Sequence, residues 1–110
     1  MDRKSYDTLV EAMNDYKEQG YHLDYQMTNE GMYCKDTGRI FQPDQITIRN
    51  FFRFEGMTDL DDMSILYIIE SEDGEKGLLL DAYGPYSDER LGSFLKKANS
   101  EVPLKYDKTE

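Results

Sequence analysis

The stretch SILYIIESEDGEKGLLLDAYG, residues 64–84, decides the fold. Two β-rich runs, SILYIIES and GLLLDAYG, flank EDGEK, and Asp73-Gly74 within that link is a strong two-residue hairpin signal, because a tight reversal needs residues that tolerate positive φ. With that turn setting the register, Ile69 faces Leu78, Tyr67 faces Leu80 and Ile65 faces Ala82. Leu66, Ile68, Glu70, Leu79, Asp81 and Tyr83 then share the opposite side, so both sides are apolar over the middle of the hairpin. These are expected to be central strands.

Upstream of the hairpin, QITIRNFFRFE (45–55) reads as a strand with Ile46, Ile48, Phe52 and Phe54 on one face and Thr47, Arg49, Phe51, Arg53 and Glu55 on the other. A short ribbon, Met32–Lys35 and Arg39–Phe41, is expected about the turn Asp36-Thr37-Gly38. Tyr21, Leu23, Tyr25 and Met27 alternate with polar residues and predict a half-buried strand. Before it, residues 5–19 predict a helix: Ser5 caps it, Tyr6, Leu9, Val10, Met13 and Tyr16 recur at helical spacing, and Gly20 ends it. Downstream, Pro85 breaks the last strand and a helix is expected from Ser87 to Asn99, with Leu91, Phe94, Leu95 and Ala98 as its stripe and Lys96 and Lys97 complementing its dipole.

The predicted architecture is a single α+β domain over residues 1–99. It has an antiparallel sheet of four to five strands between an N-terminal and a C-terminal helix, in the order α-β-β-β-β-α. Residues 100–110 lack a sustained period and read as a loosely ordered tail. The 110 residues can bury roughly two-thirds of the unfolded chain's surface, enough for one core. With nine Tyr, five Phe and no Trp, that core must draw heavily on aromatic rings.

The formal charge of −10, from 23 acidic and 13 basic residues, repels phosphate backbones and anionic membranes, so no direct nucleic-acid binding is expected. MDRKSYDTLV lacks an apolar run resembling a signal peptide, and no stretch approaches membrane-spanning length. A cytoplasmic location is the reading that follows.

RFEGMTDLDDMSILYIIES followed by DGEKGLLLDAYGPYSDE, with a helix and GYHLDYQM before them, resembles a family of short bacterial proteins of about this length. Its members often carry the label phosphoribosylpyrophosphate synthetase. The residues do not bring that chemistry with them. In phosphoribosyl-binding enzymes an acidic pair follows a buried strand and a Thr/Gly-rich loop then cradles phosphate at a helix start. Here Asp61-Asp62 precedes the strand, and no such loop follows.

Other site chemistries also lack their partners. Asp59, Asp61 and Glu70 match positions 1, 3 and 12 of a calcium loop, but Ser64 stands where the sharp turn wants Gly and Met63 where an oxygen ligand belongs. His22 and Cys34 are the only residues of their types, so they cannot assemble a tetrahedral site of nitrogen and sulfur ligands within one chain. Neither a metal nor a cofactor is expected, and no catalytic residue is assigned.

The informative feature is the second sheet face. Arg49, Phe51 and Arg53, with Leu66, Ile68, Glu70, Leu79 and Asp81, form the candidate interaction surface: an apolar centre rimmed by charge if both helices pack on the other face. Its blander reading is cross-strand ion pairing of the arginines with Glu70 or Asp81. The strand-to-helix loop adds Tyr83, Tyr86 and Asp88 as ligand candidates. The expected function is a noncatalytic binding or protein-interaction module, self-associating as a homodimer or meeting an unidentified protein partner. The alternatives are a small enzyme or binding protein for a phosphorylated metabolite, and an acidic mimic of nucleic acid.

Overall fold

A computed structural model describes residues 9–54, 64–82 and 89–101. Helix α1 (Leu9–Glu18) is followed by β1 (Leu23–Thr28), β2 (Gly31–Cys34) and β3 (Ile40–Phe41). A 3-10 turn, Pro43–Gln45, leads to β4 (Ile46–Phe54), β5 (Ser64–Ser71), β6 (Lys76–Ala82), helix α2 (Glu89–Lys97) and β7 (Asn99–Ser100). The expected first residues of the two helices, 5–8 and 87–88, lie outside the described residues.

The class is α+β as expected, but the sheet is neither small nor wholly antiparallel. The described strands form one seven-stranded mixed sheet in the order β3-β2-β1-β6-β5-β4-β7. Two antiparallel meanders, β1-β2-β3 and β4-β5-β6, meet where β1 lies parallel to β6, and β7 adds a second parallel pairing along β4. Local patterning describes each meander by itself. The parallel seam between them joins residues more than fifty positions apart, which no local signal encodes.

Chain length then dictates curvature. Strand β3 and strand β4 are five strand spacings apart, about 24 Å across a flat sheet. Phe41 and Ile46 are joined by five residue steps, which reach about 18 Å at full extension. The sheet must therefore curl, and it does so into a half-barrel.

Each face has its own core and its own helix. Tyr25, Met27, Met32, Cys34, Phe41, Ile46, Ile48, Ile65, Tyr67, Ile69 and Leu79 pack against Leu91, Phe94 and Leu95 of α2. On the other face, Ala12 of α1 joins Tyr21, Leu66, Ile68 and Leu78, with Leu9, Met13, Tyr16, Phe52 and Phe54 packed around them. Val10, expected in the buried stripe, is 62% exposed. The face centred on Leu9, Ala12, Met13 and Tyr16 leaves it to one side. Helix α1 ends in a Schellman arrangement: Gly20 N–H donates to the Lys17 carbonyl (3.1 Å) and Tyr21 N–H to the Tyr16 carbonyl (2.9 Å), with Gly20 at φ 106°.

Two local irregularities change which side chains share a face. The β5–β6 turn has three loop residues, not two: Ser71 N–H donates to the Glu75 carbonyl and Gly74 N–H to the Ser71 carbonyl, with Gly74 at φ 85°. The Ser71 hydroxyl also accepts from Asp73 N–H and Glu75 N–H. A turn of this length shifts the register by one residue, so Tyr67 faces Leu79, Ile68 faces Leu78 and Ile65 faces Asp81. In β4 a bulge leaves Arg49 unopposed between the pairs Ile48–Ile69 and Asn50–Ile68. Alternation restarts after it, so Phe51 joins Ile46 and Ile48 on the α2 side, whereas Phe52 and Phe54 lie under α1.

Residues 99–101 run along the outer side of β4. Asn99 and Ser100 pair with Thr47 and Ile48, and Glu101 N–H donates to the Ile48 carbonyl at 2.9 Å. The start of the expected tail is thus part of the sheet.

Candidate functional site

The bulge and the hairpin register disperse the residues expected to form one interaction surface. Leu66 and Ile68 are buried beneath α1, and Leu79 is buried on the α2 side. Phe51 is half-buried against that same core, its ring 6.2 Å from the ring of Tyr67. With one helix on each face, the uncovered apolar centre that motivated the expectation is not present among the described residues. Arg53 is exposed and opposes Ile65, while Asp81 opposes Ile65 from the other side.

Arg49 follows its blander reading. Its Nη1 donates to Glu70 Oε1 at 2.7 Å and its Nε to Glu101 Oε1 at 3.0 Å, which ties the bulge to β5 and to the residue after β7. Cys34 is wholly buried and His22 exposed, so they do not form a nucleophile and base. Tyr83, Tyr86, Asp88 and the Asp61-Asp62 pair lie outside the described residues.

A different place has the shape of a site. The ladder between β1 and β6 consists of Leu23 opposite Gly77 and Asp24 opposite Leu78, and no pair follows. Both strands continue past that point, β1 to Thr28 and β6 to Ala82. Beside the end of the ladder lies a cleft of about 380 Å³. Ligand sites typically occupy ~300–1,000 Å³ and combine an apolar lining with a few polar groups.

The lining follows from strand alternation. Leu66, Leu78 and Leu80 approach from the α1 side with Met13, whereas Met27, Leu79 and Leu91 approach from the α2 side. Polar groups come in opposite charges: Asp24 and Lys35 from the β1–β2 ribbon, Asp81 from β6 and Arg90 from the first turn of α2. Gln26 adds an amide. Arg90 also divides this cleft from a second hollow under the β1–β2 turn, where its Nη1 donates to Asn29 Oδ1 at 3.0 Å. Leu80 is 48% exposed at the lip, an unusual place for a large apolar side chain in the middle of a strand.

Gly77 and Tyr25 hold the closed end of the seam. A Cβ at Gly77 would lie 2.4 Å from the Leu23 carbonyl oxygen and 2.9 Å from the Tyr25 ring, so only glycine permits this approach. Tyr25 lies along the β6 side and its hydroxyl donates to the Glu75 carbonyl at 2.8 Å. Burial holds that hydroxyl well above the ordinary tyrosine range, with contact to Ser71 acting in the opposite direction. Beyond the ring, Arg39 stacks on Phe41, its guanidinium 5.2 Å from the ring centre, and bonds to Asp73 and Glu75 of the hairpin.

Among the described residues that line the cleft, none is a nucleophile paired with a base. No group of three or more His, Cys, Asp or Glu side chains among the described residues is arranged to hold a metal ion. No described helix is long and apolar enough to cross a membrane.

The sequence signal for this site was present but divided. The alternation of Tyr25 and Met27 and the apolar run Leu78–Leu80 were both legible, yet nothing local places them side by side. Comparison with protein families, with curated proteins and with solved structures returns no match.

Proposed function

We propose that this chain is a noncatalytic binding domain whose ligand enters the cleft between β1 and β6. The observation that supports it is the end of the parallel ladder after two pairs, beside a hollow of about 380 Å³ lined by apolar and charged side chains. Ligand sites favour places where a sheet's connectivity changes, and this seam is the junction of the two meanders. An acid and a base at each lip suit a small amphiphile carrying both charge signs, and a polyanion is disfavoured by the net charge of −10.

The family resemblance does not extend this reading to synthesis of phosphoribosylpyrophosphate. Pyrophosphoryl transfer needs a nucleotide site, metal-bridged phosphates and positioned cations. Pure protein should therefore form none of that product from ribose 5-phosphate and ATP.

A fragment screen by amide NMR tests the binding proposal. Hits should shift residues 24–27, 78–81 and 90–91 together, and Leu80→Trp, which fills the lip from an exposed position, should abolish those shifts while the remaining spectrum stays dispersed. Hits confined to other surfaces, or none at millimolar concentration, would remove the cleft as the site.

A further inference from the structure

Strand alternation fixes where the backbone groups on either side of the cleft point. Lys35 N–H donates to the Asp24 carbonyl at 2.9 Å, so Asp24, Gln26 and Thr28 direct their N–H and C=O groups toward β2. Tyr25 and Met27 direct theirs to the other side, toward β6. At the β5–β6 turn Ser71 N–H donates to the Glu75 carbonyl, so along β6 the alternating residues Gly77, Leu79 and Asp81 face β5. Leu78 and Leu80 face β1.

The seam uses Leu78 but stops before Leu80. The Tyr25 carbonyl, both backbone groups of Met27 and both of Leu80 therefore border the cleft, with no ladder pair joining Met27 to Leu80 across it. These are two facing strand edges within one sheet.

We propose that the cleft is a strand acceptor: it takes a short extended peptide segment that pairs by backbone hydrogen bonds with Met27 and Leu80. This rests on the reading of the cleft as a ligand site and names the class of ligand. Main-chain pairing supplies affinity in strand addition, and pockets on the two faces read alternate side chains. Its alternate side chains would point to the two sides of the sheet, one set toward Leu80 at the lip and the other toward Met27. Apolar residues at adjacent positions satisfy both, and flanking residues of either sign find a partner among Asp24, Lys35, Asp81 and Arg90. Inserting a strand needs β1 and β6 about 9.6 Å apart, twice the ordinary spacing. Accommodating one would therefore require the ends of β1 and β6 beyond the two ladder pairs to move apart.

A phage-displayed random heptapeptide library panned against the full chain supplies the probe, and a selected sequence is synthesised with blocked ends. N-methylation of its amides, one at a time, should reduce affinity tenfold or more at one alternating set and less than threefold at the other. Leu80→Pro removes the N–H aimed into the cleft while leaving the pairing of Leu79 and Asp81 with β5, and should weaken the peptide by a similar factor. The N-methyl series stands by itself if that variant misfolds. Peptides indifferent to N-methylation at both sets, peptides unaffected by Leu80→Trp, or no selected peptide would overturn the strand-acceptor proposal. Fragments that still bind in the cleft and are lost in Leu80→Trp would then preserve the broader binding reading, whereas failure of both removes the two together.

Discussion

Replacing Gly77 with Ala probes the seam on which the fold and the cleft both depend. The added methyl would stand 2.4 Å from the Leu23 carbonyl oxygen and 2.9 Å from its carbonyl carbon, against the 3.0 Å below which real contacts essentially never fall. The neighbour is backbone, so no rotamer change relieves the overlap, and β1 must move away by at least about 0.6 Å, since 3.0 − 2.4 = 0.6. Overpacking of this kind costs about 1–3 kcal/mol, and weakening one of the few seam hydrogen bonds adds about 0.5–1.5 kcal/mol. Reduced freedom of the unfolded chain returns about 0.4–1 kcal/mol. The net expectation is a loss of about 2 kcal/mol, within about 0.5–4 kcal/mol, in a urea melt followed by far-ultraviolet circular dichroism. A change under about 0.5 kcal/mol, or a gain, would refute the close approach of β1 to β6 at Gly77.

Gly92 offers the contrast: it lies within α2 and a Cβ there meets nothing within 4 Å, so Gly92→Ala should stabilise by about 0.5–1 kcal/mol in the same melt. Tyr25→Phe removes the bond to the Glu75 carbonyl and should cost about 1 kcal/mol near neutral pH. Burial raises the Tyr25 and Tyr21 hydroxyls above their ordinary value near 10, so the unfolded chain loses these protons first. The stability they contribute is present below about pH 10 and falls as pH rises beyond it, and Tyr25→Phe should flatten that alkaline decline in melts taken between pH 8 and 11. Arg49→Ala breaks two partly exposed ion pairs and should cost under about 1 kcal/mol, a difference that shrinks in 1 M salt.

Particular residues show why some of this was legible in the sequence and some was not. The helix over α1 follows from Leu9, Met13 and Tyr16 and from Gly20, which can take the positive φ its terminus requires. The β2–β3 ribbon and the three long strands follow from alternation and turn residues. The hairpin register differs from the expected one because Asp73-Gly74 suits a two-residue turn, whereas Ser71 uses its hydroxyl to hold a three-residue loop with Gly74 in the left-handed position. One residue of difference moved Leu79 from the expected open face to the α2 core. The bulge at Arg49 had no composition signature, since an exposed arginine fits regular alternation equally well. The parallel seam was invisible for a topological reason: the cleft takes its walls from segments around residues 25 and 80, which only the pairing of the two meanders at the centre of the sheet brings together.

Amide hydrogen exchange at adjacent residues of β6 tests the opening of the seam most directly. Leu78 N–H points to β1 where the ladder is closed, Leu79 N–H points to β5, and Leu80 N–H points into the cleft. In the unliganded protein Leu78 and Leu79 should exchange slowly, with Leu80 faster by at least about two orders of magnitude despite its place between paired strands. Leu80 protected as strongly as Leu79 would mean that the β1–β6 ladder continues, and the cleft would not be a binding site.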